Sequence, residues 1–313
     1  MEFGRYTRGS SLAAPCAISM ELSQSAMLAS FPALKLMVFL TPMPTLLVLY
    51  CAARFCFGTS TFFTVTSALE AGYRHIDGAA GYNNEAGVGR ALKNAGFTQG
   101  ENRKNLWVTT KLRDSEQGYD SARKAFDRQL GLLQLDYVDM YMLHWPTPFD
   151  WRSGETWKAF DEFRAEGRVR TLGVCNFLPE HLERLHKETG EYPAVDQIEL
   201  HPTWQQREVV AYCKEHGIAV EAYSPMARGA DLNAGDGVIA RIAEAHGVTP
   251  AQVILRWHIE NGTIIIPKSV HADRQKQNLD LFGFVLSPAE HAAIDALDGP
   301  TRAGHDPMTF TYA

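Results

Sequence analysis

Four residues carry the chemistry that this sequence can do: Asp77, Tyr82, Lys111 and His144. A carboxylate, a phenol, an ammonium and an imidazole belong together where a proton must reach an oxygen. Reduction of a carbonyl is such a case, since hydride goes to carbon and a proton to oxygen. A free phenol has a pKa of about 10, too high for an efficient acid at neutral pH. A nearby ammonium favours the phenolate and lowers that value. The ammonium is costly to bury unless a carboxylate stands beside it. Tyr82, Lys111 and Asp77 therefore make a relay in which each member needs the next. His144 then donates a hydrogen bond to the substrate oxygen. Singly, each has a plainer role: a helix cap, a surface aromatic, a solvated strand end, a core histidine. The set points to an acid–base centre.

The surrounding pattern must bring these four to one place. Strand-like runs cover Tyr73–Asp77, Leu106–Thr110, Tyr137–Leu143, Thr171–Val174, Ala194–Ile198, Ala219–Tyr223 and Thr263–Ile266. Helical runs between them cover Glu85–Ala95, Tyr119–Leu133, Gly154–Ala165, Pro179–Lys187, Gln206–His216 and Pro250–Asn261. Gly96, Gly167, Gly217 and Gly262 stand where helices should stop, and Asp120, Thr249 and Ser287 where they should start. Such alternation predicts parallel βαβ units. An open doubly wound sheet would show G-x-G-x-x-G after its first strand. The nearest run, Gly87-Val88-Gly89, falls inside a helix and reads as a packing feature. A closed (β/α)8 barrel, the TIM barrel, fits better, with its chemistry at the C-terminal ends of the strands. Asp77, Lys111 and His144 end or follow three consecutive strands, and Tyr82 sits in the turn after the first. Only Thr45–Cys51 is able to supply an eighth strand, so the first strand is expected to be atypical or missing.

Composition shifts near residue 60. Positions 1–60 hold few charges (Glu2, Arg5, Arg8, Glu21, Lys35 and Arg54), and 36–53 hold none. We read 1–60 as an atypical apolar segment and 61–313 as the barrel. A membrane anchor at 36–53 is the alternative, weakened by Pro42 and Pro44. The net charge of −6 gives no reason to expect nucleic acid or an anionic membrane as partner. Cys16, Cys51, Cys56, Cys175 and Cys213 lack metal-type spacing and read as free thiols in a reducing compartment. No metal is expected.

The runs GYRHIDGAAGYNNEAGVGRAL (72–92), TTKL (109–112), LDYVDMYMLHWP (135–146), GVCNF (173–177), QIELHP (197–202), YSP (223–225) and IPKSV (266–270) resemble the aldo-keto reductases in order and spacing. Loops and the C-terminal segment most resemble the family's bacterial diketogluconate-reductase branch. The resemblance implies NADPH-dependent reduction of aldehydes and ketones by a cytoplasmic monomer. It implies that Asn176 and Gln197 bind the nicotinamide carboxamide, that Tyr223 stacks on its ring, and that Ser224 reaches the pyrophosphate. Lys268, Ser269 and Arg274 would hold the 2′-phosphate, and Gln277 and Asn278 the adenine. Three positions depart from the family pattern: Cys175 replaces serine beside the carboxamide, Asp196 replaces asparagine, and Arg113 replaces a pocket tryptophan. Arg113 gives the substrate rim a cationic character, while Trp145 keeps an aromatic wall and the tail from His305 closes the pocket. Small dicarbonyls, keto acids, keto esters and sugar-derived carbonyls fit as substrates. A damaged first strand would instead leave a cofactor-binding barrel with impaired turnover.

Overall fold

The computed structural model describes residues 49–50 and 59–310, with the backbone alone at 49, 50 and 59. Eight parallel strands lie side by side in chain order. They are β1 (Leu49–Tyr50), β2 (His75–Asp77), β3 (Trp107–Leu112), β4 (Val138–Leu143), β5 (Val169–Cys175), β6 (Val195–Glu199), β7 (Ala219–Tyr223) and β8 (Ile264–Ile265). Helices α1 (Thr59–Ala71), α2 (Glu85–Asn94), α3 (Tyr119–Leu133), α4 (Ser153–Ala165), α5 (Pro179–Thr189), α6 (Arg207–Glu215), α7 (Ala234–His246), α8 (Pro250–Glu260), α9 (Ala272–Leu279) and α10 (Pro288–Asp295) alternate with and follow them. This is the (β/α)8 barrel. Leu49 and Tyr50 of β1 pair opposite Ile76 and Asp77. Two residues of the expected strand at 45–51 thus lie in β1, and the other five lie outside the described residues. The possible anchor at 36–53 otherwise lies outside the described residues, as do Cys16, Cys51 and Cys56.

Each central strand is buried on both faces, which is why its sequence runs apolar without strict alternation. Trp107, Met140, Met142, Val195, Ala219, Ile264 and Ile266 pack together as an inner layer. Outside, Phe126 and Phe163 of α3 and α4 stack at 4.4 Å, and Tyr141 of β4 meets Phe160 at 4.5 Å. Polar side chains on the inner face collect towards the C-terminal ends of the strands, where the loops open.

Local signals explain most helix boundaries. The four helix-stop glycines have φ of 76, 72, 70 and 77°, in the left-handed region. Thr249 and Ser287 form capping boxes with Gln252 and Glu290. Asp120 is not a cap. The helix begins one residue earlier, after Gly118 at φ 112°, whose N–H donates to Thr156 Oγ1 at 2.7 Å. Asp120 instead sits in the first turn, where its charge favours the helix dipole. Gly89 is a packing glycine: a Cβ there would lie 2.4 Å from the carbonyl oxygen of Leu132. A side chain would push α2 off α3.

Candidate active site

Asp77, Lys111, His144 and Tyr82 converge at the C-terminal rim of β2–β4. Lys111 does not follow β3, as its sequence position suggests, but lies within it, and so points into the barrel. Its Nζ donates to Asp77 Oδ1 and Oδ2 at 2.7 and 2.6 Å and to the carbonyl of Gly78 at 3.0 Å. Both side chains are wholly buried. Burial pushes the Asp77 carboxyl up, while the Lys111 ammonium and a bond from Gln197 act against that push. The Lys111 nitrogen sits 5.6 Å from the centre of the Tyr82 ring. That ring meets His144 edge-on at 5.5 Å.

The next strands present amides. Asn176 follows β5 in a left-handed conformation, φ 65°. Its Nδ2 donates to the carbonyl of His144 at 3.1 Å, and its Oδ1 accepts from the Tyr223 hydroxyl at 2.7 Å. Gln197 of β6 donates from Nε2 to Asp77 Oδ1 at 3.1 Å and to Glu221 Oε2 at 3.2 Å. Its Oε1 accepts a weak bond from Cys175 Sγ at 3.6 Å. Burial raises the Cys175 pKa far above its usual value, keeping the thiol protonated. Ser224 turns the chain at φ 50°. Asp196 points the other way, away from the groove. It is wholly buried, accepts from the Phe177 N–H at 3.4 Å, and thereby helps to hold the turn that presents Asn176.

At the far rim, Ser269 is buried, whereas Lys268, Arg274 and Gln277 are exposed; Asn278 is buried. Lys268 and Arg274 make no ion pair among the described residues. Helix α9 is held in place by Gln275, which bonds Ser67, Thr64 and Ser269 and accepts from the Tyr73 hydroxyl. One continuous groove of about 850 Å³ runs from Tyr82, His144 and Trp145 past Asn176, Gln197 and Tyr223 to Lys268, Arg274 and Gln277. Asp77 and Lys111 lie beneath its floor. Arg113 lies outside it. The guanidinium bonds Asn83 Oδ1 at 3.0 Å and the carbonyl of Ala80 at 3.3 Å, beside a separate cleft with Glu116 and Arg128.

Two covering segments complete the site. The turn Ala227–Asn233 brings Arg228, Gly229 and Leu232 to the groove, with Arg228 and Gly229 at φ 58 and 100°. Such left-handed residues follow no sequence period, so the sequence reading missed them. The C-terminal tail reaches over Trp145: Phe310 meets it at 4.4 Å, and His305 stacks on Phe310 at 4.1 Å. One buried histidine ties the two segments together. His201 bonds Asp231 of the turn at 3.0 Å and Glu199 at 3.2 Å, and Glu199 accepts from the N–H of Gly304 at 2.9 Å. Burial opposes charge on His201, but the two carboxylates outweigh it and raise its pKa.

Known proteins are similar to this chain. The family described as "Aldo/keto reductase family" matches residues 59–299. An aldo-keto reductase of Mycolicibacterium smegmatis is 48% identical over 79% of this chain and 88% of its own length. Methylglyoxal reductase DkgA of Escherichia coli is 44% identical over 79% of this chain and 87% of its own. The crystal structure of a Gox0644 mutant in complex with NADPH superposes with a TM-score of 0.78 at 41% identity, covering 85% of this chain and 94% of that one. With a buried lysine–aspartate pair under a tyrosine at the barrel rim and this extent of identity, the chain belongs to the aldo-keto reductase family, and is an oxidoreductase.

Proposed function

We propose that this protein reduces small aldehydes and ketones with NADPH, and that Tyr82 delivers the proton. The observation that carries the reading is the wholly buried Lys111–Asp77 pair, 2.6 Å apart, beneath the Tyr82 ring at one end of the groove. An ammonium at that place stabilises the phenolate left behind and so makes the phenol a better acid. Asp77 keeps the ammonium charged inside the barrel. His144 orients the carbonyl oxygen and donates to it as negative charge develops.

The groove's donor set suits a dinucleotide phosphate. Amides of Asn176 and Gln197 stand near the reaction centre, and exposed cations stand at the other end. NADPH, when bound, supplies hydride to the carbonyl carbon. Asn176 and Gln197 would hold its carboxamide with the Cys175 thiol beside them, and Tyr223 its nicotinamide ring. Ser224 would reach the pyrophosphate. Lys268, Ser269 and Arg274 would hold the 2′-phosphate, and Gln277 and Asn278 the adenine. The NADPH complex of the similar Gox0644 structure supports NADPH as the cofactor.

Trp145, His305 and Phe310 wall the substrate end with aromatic surface. This suits small dicarbonyls and sugar-derived carbonyls, in line with the methylglyoxal reductase named among the relatives. Keto acids and keto esters remain in the reading, but Arg113 does not support a preference for anions, since it bonds Asn83 away from the groove. We read the protein as a cytoplasmic monomer with free thiols. Among the described residues Cys175 and Cys213 are buried free thiols, and no helix is long and apolar enough to cross a membrane.

Turnover of methylglyoxal with NADPH tests the reading. Tyr82→Phe should lower kcat by about 10²–10⁴, the usual worth of a general acid, while NADPH fluorescence quenching stays within about twofold. A phenol-less variant that keeps most of its rate removes Tyr82 as the acid. The alternative is a cofactor-binding barrel with little turnover. Wild-type protein that binds NADPH but turns over no carbonyl would favour it.

A further inference from the structure

One buried carboxyl group under the groove has no part in the proton relay. Glu221 of β7 is wholly buried and stands in register with Gln197 of β6. Its Oε2 accepts from Gln197 Nε2 at 3.2 Å, and that nitrogen also donates to Asp77 Oδ1 at 3.1 Å. Glu221 Oε1 has no hydrogen-bond partner among the described residues. A primary amide has two N–H donors and one acceptor oxygen. Here both donors are taken by carboxyl groups, so the amide oxygen faces the other way, towards Cys175 and the groove. The reversed amide would set its oxygen against the acceptor oxygen of Asp77.

We propose that Glu221 is a positioning residue for the cofactor: together with Asp77 it grips the nitrogen of Gln197, so that the amide oxygen alone meets the nicotinamide carboxamide. The proposal rests on Gln197 being a carboxamide ligand, as read above. It gives Asp77 two tasks at once, because one carboxylate then serves both the proton relay and the cofactor grip. Lys111, Asp77, Gln197 and Glu221 form a continuous chain across the barrel.

The grip needs no second buried cation. Burial, then the Asp77 charge, pushes the Glu221 carboxyl up to about 8, against the pull of Lys111 and the Gln197 bond. It is therefore neutral at neutral pH. Among the described residues, the other titratable groups on the inner face of the strands are His75 and Asp77 of β2, Lys111 of β3, Cys175 of β5, Glu199 of β6 and Tyr223 of β7; β8 contributes only isoleucines. Burial holds His75 well below its usual range and Cys175 well above it.

Glu221→Met removes the acceptor at similar volume. NADPH binding, followed by fluorescence quenching, should weaken about fivefold, the size of one lost hydrogen bond. Glu221→Gln, whose carbonyl accepts the same bond, should return to within about twofold of the wild type. A merely structural role would lower Tm and leave the dissociation constant alone. Wild-type protein gives a second measurement that needs no variant. Ionising Glu221 adds a negative charge beside the site, which favours the cationic ring of NADP+ over the neutral ring of NADPH. The NADP+ to NADPH affinity ratio should then rise about threefold between pH 7 and pH 9 and stay flat in Glu221→Gln. Glu221→Met with unchanged NADPH affinity beside a Gln197→Ala that binds weakly overturns the proposal, and in that case the carboxamide reading stands. If Gln197→Ala also binds normally, both fall.

Discussion

Asp77 and Lys111 at the β2–β4 rim are wholly buried and bonded to each other, whereas Lys268 and Arg274 at the β8–α9 rim stand exposed with no ion pair among the described residues. The same kinds of charge are arranged in opposite ways because they are read here as doing opposite work. A proton relay acts on a transition state, so its electrostatics must be set before the substrate arrives and kept away from water. A phosphate site must receive charge from outside, and a cation already paired would have to break that pair first. Between the two rims the amides of Asn176 and Gln197 are intermediate: buried and held by neighbours, yet open to the groove on one face.

The comparison is broken most severely by Lys111→Met. It should remove nearly all turnover, about 10²–10⁴-fold in kcat. It should also cost about 3–5 kcal/mol in denaturant unfolding, because Asp77 is left as a buried charge without its cation. A stable Lys111→Met protein would show that the relay end is not held together by its charges. The exposed end should behave differently. Lys268→Ala with Arg274→Ala should raise KM for NADPH about 10–100-fold, from the loss of charge-assisted bonds worth about 1.5–3 kcal/mol. KM for NADH and the unfolding free energy should hardly move. Equal effects on both cofactors would remove the 2′-phosphate assignment.

The covering segments give a smaller, pH-dependent effect. The folded pKa of His201 is raised above the unfolded value of about 6.5. Its contribution is therefore fully present below pH 6.5 and is lost as pH rises through the folded value. His201→Gln should cost about 1–2 kcal/mol at pH 6, and the gap to the wild type should shrink at pH 9 in thermal melts. A pH-independent gap would mean that His201 acts through packing alone. The smallest change belongs to Arg113→Ala. With the guanidinium bonded to Asn83, kcat/KM for an anionic keto acid and a neutral dicarbonyl should each change less than about twofold. A selective loss for the acid would bring Arg113 back to the substrate.

Legibility differed by region for physical reasons. β2, β3 and β4 were readable because each is a short buried run with one chemically conspicuous residue at or just past its end. Even there, Lys111 was read as following β3, while the strand continues through Leu112. Helices α8 and α10 were readable from their caps, since Thr249 and Ser287 bond within three residues of themselves. Asp120 shows the limit of that reasoning: a suitable residue type was present, but Gly118 had already begun the helix. Helices α1, α7 and α9 were not delimited. Helix α7 opens with three left-handed residues, Gly235, Asp236 and Gly237, and α9 is anchored by Gln275 through contacts more than 200 positions away in sequence.

The amino-acid sequence alone determined the alternation of strands and helices and offered the four residues proposed for the relay, from local periodicity and from residue types whose chemistry is their own. The amides and cations proposed for the groove came from the resemblance to the family. Tertiary structure alone decided that Arg113 turns to Asn83, that Glu221 shares the Gln197 amide with Asp77, and that His201 ties the Ala227–Asn233 turn to the tail. Side-chain direction at the rim of a closed sheet depends on which strands become neighbours and in what register. No single stretch of chain contains that information.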